Sequence, residues 1–195
     1  MLIWIFISYC KWGCFKLKNS RLIPFLLLLI LISISFFSFS YAKGEQFEKN
    51  FLNVGYKEVY EALKESVEHF ERDIALPIQL PPIVFTHNLG RFTNLEGKQN
   101  DYFEVTYIDK NSGQNHYKIE VRSIDGKVKI NEEKIDRTLK LNNSNEAIFS
   151  TTMMQGFNTL AFEKGGFQYI LFIDKRVSDE VTPETLVEIA NSVNY

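Results

Sequence analysis

A chain of 195 residues, 45% hydrophobic and 24% charged, has room for one domain of ordinary size beside a targeting segment, which excludes a second domain and a disordered linker as its bulk. Four of the 22 basic residues and none of the 24 acids precede Lys43, so 18 basic residues face all 24 acids in 43–195 and that body carries a formal charge of −6. A negative body gains nothing from neutralising phosphates, which excludes nucleic acid as an expected partner.

Residues 1–21 hold the four early basic residues, Lys11, Lys16, Lys18 and Arg21, and both cysteines, Cys10 and Cys14. The body therefore has no disulfide framework and no thiol metal site, and neither cysteine follows a small-residue lipobox. From Leu22 to Ala42 runs an uncharged apolar segment of 21 residues. That length spans a hydrocarbon core of about 30 Å as a helix. It ends in Ser40-Tyr41-Ala42, with small residues where a signal peptidase would need them for a cut before Lys43. Basic residues on the upstream side keep the N-terminus in the cytoplasm, so everything from Lys43 on is expected outside. The membrane is then a partner through 22–42 unless the segment is cleaved, and the product is either secreted or anchored by one helix. Residues 1–16 suit neither a normal n-region nor a span, and a start at Leu17 from an alternative codon would leave an ordinary signal peptide.

In the body, residues 46–75 read as helix. Tyr60, Leu63, Val67, Phe70 and Ile74 recur at steps of three and four, and Gly55 interrupts the first turns. Leu76-Pro77 and Leu80-Pro81-Pro82 end it, because proline removes donors and forces extended geometry. From Ile83 the period becomes two. Residues 83–87 read as a short strand and 88–100 as a loop or bulged strand. Phe103, Val105 and Tyr107 alternate with Glu104 and Thr106. Across the turn at 110–114, Tyr117, Ile119 and Val121 answer against His116, Lys118, Glu120 and Arg122, which makes a hairpin. Asp125-Gly126 reads as a second tight turn, with Val128 and Ile130 opening its return strand. Strands follow at 137–142, 146–151, 157–163 and 167–174, the last pair joined at Gly165-Gly166. FQYILFID, apolar on both faces, reads as a central strand. Thr182 caps and Pro183 opens a final helix whose stripe is Leu186, Ile189, Ala190 and Val193. The fold class expected is α+β, an antiparallel meander of about seven strands flanked by an N-terminal and a C-terminal helix and preceded by one membrane or signal segment.

No motif in this body carries chemistry. The weak catalytic candidates are His87, His116, Asp101 and Glu120, and the spacing is neither HxH nor HExxH, so no metal site and no cofactor are expected. His69, beside Glu65, Glu68 and Arg72, reads as a surface residue. No GxSxG elbow exists, and Gly165-Gly166 joins two strands rather than a strand and a phosphate-binding helix. Glu132, Glu133 and Asp136 read as a solvated charge cluster. The strand aromatics, Phe103, Tyr117, Phe157 and Phe172 among them, serve either as core or as a sheet face that grips an apolar or peptide ligand.

The Gly-Gly turn, the strand FQYILFI and the helix ETLVEIANSV together resemble the C-terminal signature of an uncharacterised domain family in exported and anchored proteins of Gram-positive spore-forming bacteria. Glu184, Leu186, Ile189, Ala190 and Ser192 stand at the positions of its E-x-L-x-x-I-A-x-S helix, and Leu76 to Pro82 is similar to its boundary between first helix and sheet. The resemblance covers about half of the body. It implies an exported domain without an assigned activity. In architecture alone, lipoprotein-carrier and sigma-regulator sensor domains are similar. The function expected is a non-enzymatic extracytoplasmic envelope module that binds a protein, peptide or lipid on its sheet. The alternatives are an extracytoplasmic hydrolase with a His/carboxylate site and a structural or chaperone-like accessory protein.

Overall fold

The computed structural model describes residues 28–30, 47–95, 100–142 and 144–194. The chain divides into two units, Met1–Glu45 and Gln46–Tyr195. Of the first, only the helical stretch 28–30 is described; the rest of the apolar run 22–42, its Ser40-Tyr41-Ala42 end and the segment 1–16 lie outside the described residues. Among the described residues no helix is long and apolar enough to cross a membrane.

The second unit is an α+β domain built on one seven-stranded antiparallel sheet. Its strands are β1 (His87–Thr93), β2 (Tyr102–Asp109), β3 (Ser112–Ser123), β4 (Arg137–Lys140), β5 (Glu146–Met154), β6 (Phe157–Lys164) and β7 (Phe167–Asp174). Their spatial order is β1-β2-β3-β7-β6-β5-β4. The sheet is therefore not the single meander expected from the turns. One meander, β1 to β3, meets a second, β4 to β7, and the chain crosses from β3 to the far edge through residues 124–136.

That crossing replaces the expected hairpin at Asp125-Gly126. Ile124–Gly126 forms a 3-10 turn, and the partner of β3 is β7, registered Tyr117↔Ile173 to Ser123↔Phe167. All eight residues of β7 are buried, so this strand gains more from the centre of the sheet than the half-polar run at 127–131 would. Residues 127–131 instead lie as an extended strap over the sheet. The Gln168 side chain holds them there: the Val128 N–H donates to Gln168 Oε1 at 2.8 Å and Gln168 Nε2 donates to the Val128 carbonyl at 3.0 Å.

The period-two pattern assigns the helix face of the sheet. Phe103, Val105, Tyr117, Ile119, Val121, Leu160, Phe162, Phe167, Tyr169, Leu171 and Ile173 make one buried cluster with both helices. The first helix, α1, is Val59–Phe70, preceded by a separate helical stretch at 47–52. Gly55, at φ +92°, breaks the two apart as expected, a conformation that a side chain would strain. The buried stripe of α1 runs through Val59, Ala62, Leu63, Ser66, Val67 and Phe70. Tyr60, placed on that stripe by its spacing, points outward and is 74% exposed. Small residues explain the rotation: α1 sits so close to β1 that a Cβ on Gly90 would stand 2.9 Å from the Ala62 Cβ and from the Val59 Cα. β1 occupies part of the stretch read as a loop or bulged strand, while residues 83–86, read as strand, lie in irregular backbone after Pro81-Pro82.

The second helix, α2, is Pro183–Asn191. Thr182 caps it, its hydroxyl accepting from the Thr185 N–H at 3.3 Å, and Pro183 opens it. Leu186, Ile189, Ala190 and Val193 are all buried. The two segments that carry the family resemblance also touch each other. Pro77 bridges to Val193, and the Gln79 N–H donates to Ser192 Oγ at 3.0 Å.

Candidate functional site: the strap-covered face of the sheet

The other face of the sheet carries the polar half of each alternation, and there Glu104, Thr106 and Glu120 are buried. The pairing aligns its residues in rows. Arg91, Glu104, Glu120, Ile170, Ala161 and Ile148 form one row across six strands. Lys118, Phe172 and Thr159 lie in the next. Glu104 and Glu120 thus stand directly opposite each other, an arrangement that repels unless cations intervene. Three do. Arg91 Nη2 is 2.6 Å from Glu104, Arg122 Nε is 2.6 Å from Glu120, and Lys118 Nζ reaches both, at 3.5 Å and 3.4 Å. The Glu104 side chain is 2% exposed.

Aromatic rings close this lattice. Arg91 lies 4.6 Å from the Tyr56 ring centroid, Arg122 lies 4.4 Å from that of Tyr102, and the Lys118 ammonium lies 4.3 Å from that of Phe172. Burial pushes the Tyr56 phenol up to about 12, with the Glu104 carboxylate adding to the shift. Arg91, Lys118 and Arg122 thus stand between and beside the two carboxylates.

The catalytic candidates fall into four separate places. His87 and His116 share a row on this face, both paired with Ile108 of β2, which keeps them two strands apart at roughly 10 Å. His87 Nδ1 pairs with the Thr86 hydroxyl at 2.8 Å, and its ring meets Phe47. His116 packs edge-on against Phe157 at 5.1 Å, where burial lowers its pKa against the pull of Asp174. Glu120 belongs to the ion lattice. Asp101, 2% exposed, joins a histidine that was read as a surface residue: His69 Nε2 lies 2.8 Å from its Oδ2, while Oδ1 accepts from the Leu95 N–H at 2.7 Å. This pair clasps the end of α1 to the segment entering β2. Among the described residues no group of three or more His, Cys, Asp and Glu side chains could hold a metal ion.

Beyond the lattice, the face turns apolar. Ala161, Ile170 and Phe172 form a small second cluster, covered by Val128 and Ile130 of the strap and flanked by Met153 and Phe157. A cavity opens on each side of the strap, and Val128, Lys129 and Ile130 line both. The one toward β5 and β6 is about 580 Å³, with Glu146, Glu163 and Lys127 among its walls, and Lys127 is paired with Glu163 at 2.8 Å. The one toward β3 is about 310 Å³, with Ile170, Phe172 and Met153 for its apolar wall and Arg122, Lys129 and Lys134 for its cations. Among the described residues neither Lys129 nor Lys134 makes an ion pair. Sequence reasoning missed this site. Its only signal was the alternation in Lys127-Val128-Lys129-Ile130, which reads equally well as a strand.

No protein-family model matches the chain, and comparison with curated proteins and with solved structures returns no match. The helix motif that carries the family resemblance is structural in this fold. Leu186, Ile189 and Ala190 are core, Glu184 pairs with Arg137 at 2.8 Å, and the Ser192 hydroxyl donates to the Ile189 carbonyl at 2.7 Å.

Proposed function

We propose that residues 43–195 are a non-enzymatic extracytoplasmic binding module, exported behind residues 22–42, whose working surface is the strap-covered face of the sheet. One observation carries this reading: an apolar cavity of about 310 Å³ beside a strap, with Lys129 and Lys134 in its lining and unpaired with any acid among the described residues. Pockets of this kind, apolar with a few placed polar groups, are the usual form of a binding site, and the volume sits at the lower end of the ~300–1,000 Å³ range. The helix face is spent on the core, so the strap face is the surface left for a peptide, protein or lipid partner. The strap suits access, because a side-chain amide rather than a strand ladder holds residue 128.

Site-specific photocrosslinking in the native envelope tests the proposal. A crosslinker at Met154, on the cavity wall and 44% exposed, should trap a partner, whereas one at Tyr60 on the outer side of α1 should not. Equal trapping at both positions, or none at 154, contradicts the reading and favours a structural accessory protein.

A further inference from the structure

Resting on that reading, we infer that the ligand of the smaller cavity is a single-chain anionic amphiphile, an acyl carboxylate or acyl phosphate of medium length. Ile170, Phe172, Val128 and Met153 give the cavity its apolar wall. Methionine has an unbranched, polarisable side chain that adapts to irregular apolar ligands, and Met153 and Met154 stand together at the end of β5. A cavity of about 310 Å³ lies at the small end of ligand sites, which suits one chain of moderate length.

The charge of the head group follows from what the cavity leaves unpaired. Its one acid, Glu120, is already bound by Arg122 at 2.6 Å and Lys118 at 3.4 Å. Lys129 and Lys134 remain, with no acid against them among the described residues, since Glu132 and Glu133 of the intervening turn are exposed and outside the cavity wall. The lining therefore carries three cations, Arg122, Lys129 and Lys134, against one acid, on a body of formal charge −6. Such a body repels anions at long range, so these cations suit a ligand whose anion and chain bind together. A cationic amphiphile would place like charges together, and a neutral one would leave both ammonium groups unused.

The full chain in phosphatidylcholine nanodiscs tests this with two photoactivatable probes, decanoate and decyl-trimethylammonium, each carrying a diazirine at the chain end. Decanoate should label peptides containing residues 128–134, 153–154 and 170–172, and unlabelled decanoate should compete. Lys129→Glu with Lys134→Glu, both at solvent-reached positions and harmless to the core, should lower that labelling about tenfold at an unchanged melting temperature. Equal labelling by both probes, untouched by the double substitution, overturns the anionic head group and leaves binding at this face intact. Absence of labelling here, while a crosslinker at Met154 still traps a partner, overturns the amphiphile and leaves the face. Failure of labelling and trapping together removes both readings.

Discussion

Glu104 illustrates how much of this fold rests on single polar residues. Its carboxylate is buried between Arg91 and Lys118 and faces Glu120 across the strand pair. Removing one member of a buried ion network leaves the others uncompensated, which costs about 3–5 kcal/mol when the partners are fully buried. Arg91 and Lys118 keep 29% and 21% of their side-chain exposure, so Glu104→Gln should cost less, about 2–3 kcal/mol in a urea melt. Glu65→Gln, which breaks the exposed pair with Lys57, should leave the midpoint unchanged. His116 gives the pH counterpart. Its imidazole is held below the ordinary 6.5, chiefly by burial and further by Lys118 and Arg176, against the opposing pull of Asp174 and Glu104. The unfolded chain then takes up this proton first. The stability linked to His116 is whole above about pH 6.5 and is lost as pH falls toward the folded value. Asp174, held low by its hydrogen bonds from Arg176, adds a loss of the same sign only below its ordinary 3.8. Urea melts at pH 7.5 and 5.5 should show the wild type weaker at the lower value and His116→Gln with a shallower slope; equal slopes would remove His116 from the account.

Among the elements, those with one apolar face against the core were legible in the sequence. The stripe Leu186, Ile189, Ala190 and Val193 is buried throughout, Thr182 caps it, and β7 is central because it is apolar on both sides. Leu186→Ala or Ile189→Ala should therefore cost about 2–5 kcal/mol, and Glu188→Ala, on the exposed side, should leave the melt where it is. A mild Leu186→Ala would detach α2 from the core. Less legible was whatever depends on a neighbour in space. The outward turn of Tyr60 follows from Ala62 and the Val59 backbone meeting Gly90, a contact that helical spacing alone does not encode. Gly90→Ala should accordingly lose about 1–3 kcal/mol, since the added Cβ would press on helix backbone rather than on a movable side chain. The strap was lost for a similar reason. Lys127 to Ile130 alternates like a strand, and only the competition of β7 for the edge of β3 keeps it out of the sheet.

For the whole molecule, one sheet separates two tasks. Its helix face holds the main core, and its strap face holds an ion lattice beside an apolar cavity. The candidate site was scarcely visible in the sequence, because alternating Glu104, Thr106, Lys118 and Glu120 look like a solvated surface until pairing places cation against acid and Tyr56 and Tyr102 over both. The proposed export behind 22–42 belongs to the same scale. Protease added to intact, wall-stripped cells should digest the body after Lys43, and protection until lysis would contradict that topology. The assignment of the strap face as the working surface is tested most directly by amide hydrogen exchange on the full chain. Residue 128 lacks a strand partner and is held by Gln168, so its segment should exchange through a local opening, far faster than the amides of β7. Trapping a partner at Met154 should then slow exchange in the strap and leave α1 and α2 unchanged. If the strap exchanges only as slowly as β7, through global unfolding, it is part of the core, and the face beneath it is not a binding surface.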